Sequence, residues 1–323
     1  IDIAEAEQPV PGPGEVIVET ILSAICGSEL HGYRGDGMRE GNSGHEGMGR
    51  VAAVGEGVEE LSVGDRVGAS AVFGCGKPDC EYCNRGESTW CPSFSTLGSM
   101  HAQFFRTSAR ACMRIPDDIP DRAAVLLAGD GFGVPYHTAG KMSETDVRTV
   151  AIIGMGPIGL GNAMLQAFLG RTVIAVDISP YRLEYARKLG ATHLVNAADA
   201  DTVEAVRALT DGGADVCVEA AGRPETLRQC FAAARTAGRV VINGEQPAVE
   251  ISPSNDFVRR DITAVGSWFF QLCEFDGMVD LYRKGLDVTQ MVSHVFSYRQ
   301  ASEAFRLFAA GEAAKVLLDW RDT

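Results

Sequence analysis

From residue 150 onward, short apolar runs alternate with stretches of helical pattern. The first run leads directly into a glycine-rich turn: Val150-Ala151-Ile152-Ile153-Gly154-Met155-Gly156-Pro157-Ile158-Gly159. A strand that feeds a helix and then another strand returns by a crossover, so a series of such units commits a chain to a parallel sheet covered on both faces. Strands are expected at 150–153, 172–176, 193–195, 215–219, 239–242 and 262–266, and helices at 157–169, 181–189, 201–209 and 224–234. Six strands with helices between them describe a doubly wound α/β domain.

The turn itself reads GxGxxG, a weak signal alone that its setting strengthens: a buried strand precedes it, a helix follows, and Asp177 ends the next strand 23 residues after Gly154. In a Rossmann dinucleotide site, Gly154 permits the tight turn, Gly156 admits the pyrophosphate, and Gly159 lets the helix pack on the strand. The helix beginning at Pro157 and Ile158 then offers free N–H groups and a partial positive charge to the phosphates. Asp177 is placed to accept the adenosine ribose hydroxyls and to repel a 2′-phosphate, which favours NAD over NADP. Arg182 is the counter-signal, because a nearby arginine can pair with that phosphate. The plainer alternative makes Asp177 a cap for the helix near Pro180.

A chain of 323 residues fits two domains. Upstream of the glycine-rich turn, β-rich runs such as Glu15-Val16-Ile17-Val18-Glu19-Thr20 alternate with glycine turns, the pattern of an antiparallel, barrel-like unit. Beyond residue 270, amphipathic helices near 274–284 and 300–310 precede a final strand at 315–319, a tail expected to return to the first domain. The boundaries expected are 1–128 and 271–323 for the barrel-like domain and 129–270 for the nucleotide domain. With 43 acidic against 29 basic residues and a net charge of −14, the chain is repelled by phosphate backbones, so nucleic acid is excluded as a partner. The uncharged run at 149–170 is long enough to cross a bilayer, but its glycines, proline, asparagine and glutamine fit a strand, turn and helix better. No membrane partner is expected. The opening Ile1-Asp2-Ile3-Ala4-Glu5 is acidic and lacks a basic-then-apolar leader, so a cytoplasmic protein is expected.

Nine cysteines without a secretion signal argue against a disulfide framework. Cys75, Cys80, Cys83 and Cys91 crowd into one loop. Four thiolates can close a tetrahedral zinc shell and stand in for a core that so short a segment cannot build. Such a shell has no open position, which makes the site structural; buried or redox thiols are the alternative. Cys26 and His45 are more scattered, and spacing alone does not make them ligands. Both lie in glycine-flanked turns beside polar residues, a setting permissive for a cleft.

Three segments carry a resemblance to a known family: Cys26-Gly27-Ser28-Glu29-Leu30-His31; the signature from Gly44-His45-Glu46-Gly47 to Gly64-Asp65-Arg66-Val67; and the nucleotide fingerprint. With the cysteine lobe and the closing Lys315-Val316-Leu317-Leu318, they span nearly the whole chain. The chain resembles the zinc-containing branch of the medium-chain dehydrogenase/reductase superfamily, similar to sorbitol, threonine and secondary-alcohol dehydrogenases. The resemblance implies a GroES-like β-barrel catalytic domain joined to the Rossmann sheet. It makes Cys26 and His45 ligands of a catalytic zinc, Asp130 the third ligand, and Glu46 a neighbouring acid that orients the shell or exchanges onto the metal. Ser28 and His31 match a proton relay, Glu219 a floor beneath the nicotinamide ribose, and Lys315 a pyrophosphate contact; each could instead be a turn or solvated residue. Trp90, Phe94 and Trp268 are candidates for the substrate cleft. The implied reaction moves a hydride between a secondary alcohol, a polyol or sugar, and NAD, in a homodimer or homotetramer. A redox-neutral lyase or epimerase using the same zinc and NAD is the competing reading, and a zinc-free reductase or binding protein a third. The chain departs from the family pattern in four places. Four residues separate Cys75 from Cys80 where relatives have two, which leaves the lobe's first ligand open. Glu29 stands where Asp is usual, Pro135 replaces a frequent glycine, and the usual first strand is absent.

Overall fold

The computed structural model describes residues 1–35, 37, 41–142 and 146–321. It divides into two units, Ile1–Gly133 with Phe269–Thr323, and Val134–Trp268. The chain thus leaves the first unit five residues later than the sequence suggests and re-enters it two residues earlier.

The strands, in chain order, are β1 (Glu15–Ala24), β2 (Gly47–Val54), β3 (Arg66–Ala69), β4 (Val72–Phe73), β5 (Ser95–Thr96), β6 (Phe104–Ser108), β7 (Cys112–Arg114), β8 (Thr149–Ile153), β9 (Thr172–Asp177), β10 (His193–Asn196), β11 (Ala214–Glu219), β12 (Ala234–Ile242), β13 (Thr263–Gly266), β14 (Val292–Ser297) and β15 (Lys315–Asp319). In the first unit a seven-stranded sheet runs β14-β15-β1-β2-β3-β7, with β6 paired to β1. β1 carries antiparallel partners on both sides, β2 with β6 and β15, so most of its side chains are buried rather than alternating in and out. Val16, Val18, Val51, Val67, Ala69, Met100 and Phe105 form one core beneath this sheet. Ile25, Phe305, Phe308, Val316 and Leu318 form another, which docks the amphipathic helix Ala301–Ala309. The tail therefore belongs to the first unit. β14, which pairs in parallel with β15, has no counterpart in the sequence reading. Its residues Val-Ser-His-Val-Phe-Ser are all half-buried at the sheet edge and lack a clean two-residue alternation.

One geometric consequence of this register positions the candidate site. β1 is antiparallel to β2 and to β15, so the end of β1 lies beside the starts of the other two. Ser23 pairs with Gly47 and Ala24 with Leu317. The loop leaving β1 is pinned on both flanks, with Ala24 N–H donating to the Glu46 carbonyl at 2.9 Å and Ile25 N–H to that of Val316 at 3.0 Å. Cys26, His45-Glu46 and Lys315 consequently meet at one end of one sheet.

In the second unit the sheet order is β10-β9-β8-β11-β12-β13, with every neighbouring pair parallel. This is the doubly wound order, starting from the centre at β8 and growing outward on each side. Helices Pro157–Phe168, Pro180–Lys188, Thr202–Leu209 and Pro224–Ala233 connect the strands. Each falls within one residue of its expected start and end. The core is the apolar filling of the strands, including Ala151, Ile153, Ile174, Val176 and Cys217, packed on Leu227, Cys230 and Phe231.

The segment around Asp130 differs from expectation. Read as a turn, it is the first turn of a helix, Asp130–Gly140, which follows the helix Asp121–Leu127. Gly131, Gly133 and Pro135 are poor helix formers, so propensity pointed elsewhere. Close packing explains the glycines: a Cβ at Gly133 would lie 2.3 Å from the Phe270 ring, and one at Gly129 2.8 Å from the Glu46 carboxylate. Among the described residues, no helix is long and apolar enough to cross a membrane.

Candidate metal and nucleotide sites

Cys26 Sγ, His45, Glu46 and Asp130 offer ligand atoms that all lie within 4.8 Å of one another. His45 Nε2 is 3.2 Å from Asp130 Oδ2, and Cys26 Sγ is 3.9 Å from the same oxygen. Ligands at ordinary zinc distances of about 2.0–2.3 Å in a tetrahedron stand roughly 3.3–3.8 Å apart, close to this spacing. His45 Nδ1 donates to the Ser43 carbonyl at 2.8 Å, which leaves the Nε2 lone pair for the centre of the cluster. Asp130 Oδ1 is buried with no hydrogen-bond partner among the described residues. Burial opposes a charge on His45, yet its contacts with Asp130 and then Cys26 hold its pKa far above the ordinary histidine value. A cysteine sulfur and a carboxylate facing a buried imidazole are a donor set that suits zinc, which binds the cysteine as thiolate.

Glu46 is fully buried and committed on both sides. One oxygen accepts from the Lys315 ammonium, the other from Gly131 N–H at 3.2 Å. It therefore anchors the helix start that carries Asp130. Lys315, expected at a pyrophosphate contact, is 1% exposed and ion-paired with Glu46. Burial disfavours its charge, but the carboxylate of Glu46, followed by Cys26, keeps the ammonium above its usual pKa. Ser28 is exposed, with Oγ 3.4 Å from Cys26 Sγ, and His31 is exposed in the short helix Leu30–Arg34 that follows.

Sequence reasoning missed His101. Its Nε2 lies 2.9 Å from Glu29 Oε2, its Nδ1 2.8 Å from Ser23 Oγ, and Glu29 Oε1 accepts Cys26 N–H at 2.8 Å. Burial pushes the Glu29 carboxyl upward, but the electrostatic and hydrogen-bond contact with His101 outweighs it, and the pKa is lowered. No motif surrounds His101. The only hint is that Glu29 stands where the family pattern has Asp.

Cys75, Cys80, Cys83 and Cys91 also meet within 4.8 Å. The Cys75–Cys83 and Cys80–Cys91 sulfur separations are both 3.8 Å. Four sulfurs around zinc at about 2.3 Å stand about 3.8 Å apart, so the site has the size of a zinc held by four thiolates. Cys75 N–H points at Cys91 Sγ and Gly76 N–H at Cys83 Sγ, each at 3.4 Å, supplying the donors that stabilise thiolates. The longer spacing before Cys80 thus does not displace Cys75. None of these cysteines is in a disulfide.

In the second unit, Gly154 has φ +100°, and a Cβ there would meet Ala221 N at 2.8 Å. A Cβ on Gly159 would sit 1.8 Å from the Gly154 carbonyl oxygen, whereas one on Gly156 would meet nothing within 4 Å. The first and third glycines are thus demanded by the chain's own packing, and the second faces open space. The helix after Gly156 has no side-chain cap and opens with Pro157 and Ile158. Asp177 sits at the end of β9 beside this turn, its carboxylate accepting Met155 N–H at 2.6 Å and Ser179 N–H at 2.8 Å. The helix cap is Ser179, which accepts from Arg182 N–H, not Asp177. Arg182 is half-buried, with Nε lacking a partner among the described residues. Glu219 is the residue expected beneath the nicotinamide ribose. It is fully buried, and its carboxylate is occupied by Ala221 N–H, Gly222 N–H, the Thr226 hydroxyl and the Gln246 amide. It shapes the loop after β11. Trp90, Phe94 and Trp268 are each more than two-fifths exposed.

Known proteins resemble this chain along its whole length. Residues 12–117 match the family model of the alcohol dehydrogenase GroES-like domain, and residues 157–284 that of the zinc-binding dehydrogenases. Sorbitol dehydrogenase of Bacillus subtilis (strain 168) is 32% identical over 96% of the chain and 92% of its own length. L-threonine 3-dehydrogenase of Pyrococcus abyssi is 33% identical over 98% of the chain and 94% of its own length. Among solved structures, a short chain alcohol dehydrogenase from E. coli CFT073 complexed with NADH superposes with a TM-score of 0.87 at 30% identity, covering 99% of this chain and 96% of that one. The chain belongs to the zinc-binding alcohol dehydrogenases, zinc-dependent oxidoreductases that use NAD(P) and combine a GroES-like domain with a parallel Rossmann sheet.

Proposed function

We propose that this protein oxidises a secondary alcohol, of the polyol or sugar class, to a ketone with NAD as acceptor. The observation that carries the reading is the convergence of Cys26 Sγ, His45 Nε2 and the Asp130 carboxylate at one sheet end. A zinc ion held by these three residues supplies Lewis acidity toward a hydroxyl oxygen, and NAD bound at the glycine-rich turn supplies the hydride acceptor. Cys26 and Asp130 bring negative charge to the centre, while Glu46 and Lys315 cancel one another and hold the start of the Asp130 helix. Ser28, exposed beside Cys26, takes the proton from the substrate hydroxyl, and His31 passes it toward solvent. Asp177 accepts the adenosine ribose hydroxyls at the end of β9, which sets the preference for NAD. The substrate class is supported by the relatives named for sorbitol and threonine oxidation. The active form in this reading is a cytoplasmic homodimer or homotetramer, to be checked by sedimentation equilibrium.

The test is a panel of polyols, sugars, 3-hydroxy amino acids and simple secondary alcohols with NAD and NADP. Nicotinamide absorbance is followed before and after chelation. We expect net NADH formation with a polyol, weaker NADP reduction, and loss of turnover once the chelator has removed zinc. Turnover of substrate without net NADH would replace a dehydrogenase by a redox-neutral enzyme.

A further inference from the structure

We infer that His101 is a positioning residue for the catalytic metal, a strut that holds the loops bearing Cys26 and His45 at their separation. The inference rests on the zinc reading above and extends it to a residue that contacts neither metal ligand through its side chain.

The imidazole is nearly buried, 8% exposed, and hydrogen-bonded at both nitrogens. On the Cys26 side the connection runs through Glu29. Cys26 N–H donates to Glu29 Oε1 at 2.8 Å, and His101 Nε2–H donates to Glu29 Oε2 at 2.9 Å. The other ring nitrogen meets the Ser23 hydroxyl at 2.8 Å, and Ser23 Oγ accepts from Trp320 Nε1–H at 2.8 Å. Hydrogens can be assigned in one direction, Trp320 to Ser23 to His101 to Glu29, with every donor given one acceptor. The chain is closed at its metal-facing end by the backbone of a ligand. On the His45 side the connection runs through the backbone of His101. Asn42 Oδ1 accepts from both His101 N–H, at 3.1 Å, and Gly44 N–H, at 3.0 Å, while Asn42 Nδ2 donates to the His101 carbonyl at 2.9 Å. Met100 N–H donates to the Gly44 carbonyl at 2.9 Å. The ring also packs directly on Gly44, where a Cβ would come within 2.5 Å of it. One residue thereby fixes the approach of two ligand-bearing segments that are far apart in sequence. Groups that orient metal ligands in this way commonly govern metal affinity by about 10- to 100-fold.

The experiment compares wild-type holoenzyme with His101→Phe, which keeps the ring's bulk and removes its hydrogen bonds, and with Glu29→Asp, which shortens the bridge. Zinc retained per chain during dialysis against a chelator is the primary readout, and the visible spectrum of the cobalt-substituted protein is the second. We expect His101→Phe to lose one zinc about 10- to 100-fold faster than wild type, while the zinc of the four-cysteine lobe and NADH affinity stay unchanged. We expect Glu29→Asp to do the same, the double variant to lose metal no faster than the worse single one, and His101→Gln, which restores a donor and an acceptor, to recover retention. If His101→Phe does not fold, Glu29→Asp decides alone. Wild-type zinc retention and an unaltered cobalt spectrum in these variants, or additive losses in the double variant, would overturn the strut. A wild-type protein whose only zinc is the one in the four-cysteine lobe would overturn the functional reading, and the strut with it.

Discussion

Ser28 illustrates how little a single residue type says before it is placed. A serine two residues after a cysteine is an ordinary turn residue in most chains; here it is exposed with its hydroxyl 3.4 Å from the Cys26 sulfur. If it moves the proton, Ser28→Ala should lower kcat by roughly 100-fold, at the lower end for a positioned acid–base group, with NADH affinity unchanged. Steady-state kinetics and fluorescence titration separate these effects, and an unchanged kcat would remove Ser28 from the chemistry. Lys315 and Glu219 teach the opposite lesson. Both are charged residues that the family resemblance directed toward the cofactor, and both are buried and occupied by partners within their own unit. A buried charge must find its compensation nearby, and a sequence does not say where that compensation sits.

At the scale of elements, the start of the central parallel strand depends on one carboxylate. Asp215, 7% exposed in β11, accepts from Arg148 N–H, Thr149 N–H, the Thr149 hydroxyl and Arg235. It thus ties the first residues of β8 to β11, beside the ladder that pairs Val216 with Val150. Burial raises its pKa, but Arg235 and then the backbone donors outweigh that and bring it down to about 2. A carboxyl lowered on folding stabilises the folded state above its unfolded pKa, near 4, and that contribution disappears as pH falls toward about 2. Arg235 is 43% exposed, so solvent screens its share. A contribution of about 1–2 kcal/mol is therefore expected at neutral pH. Asp215→Asn should lose this much stability at pH 7 and show a flatter acid limb between pH 4 and pH 2. Circular dichroism against pH checks it; identical acid midpoints for the two proteins would refute the assignment.

For the whole molecule, the cysteine lobe is a piece of structure that metal, not core, is expected to hold. The segment around Cys75 to Cys91 contributes only short elements: the pair β4–β5, the one-turn helix Glu81–Asn84 and the 3₁₀ turn Ser88–Trp90. Cys83→Ser should reduce bound zinc from two to one per chain and lower the unfolding midpoint of the first unit by several degrees. Loss of a structural metal belongs to the few substitutions that cost more than about 4 kcal/mol. Metal analysis and calorimetry report both effects, and two zinc ions retained in the variant would show that the lobe does not bind one through Cys83.

The parallel unit was almost fully legible in the sequence. Its helices and all its strands but β12, which begins five residues early at Ala234, fall close to their expected bounds because a buried strand, a glycine turn and an amphipathic helix each leave a local signature. The motif glycines are explained by contacts a few residues away, as at Gly159 against the Gly154 carbonyl. Cys26, His45 and Asp130 could be named from resemblance, but their meeting could not be read from spacing, since they come from a strand end, a strand start and a helix start. That Asp130 begins a helix was hidden by Gly131, Gly133 and Pro135, whose poor propensity is overridden by packing against Phe270 and by the bond from Gly131 to Glu46. The pairing of Lys315 with Glu46, and of His101 with Glu29, was decided by tertiary structure alone. Local pattern specifies which residues are buried; only the register of β1 against β2 and β15 and the course of the connecting loops determine which buried charges find one another.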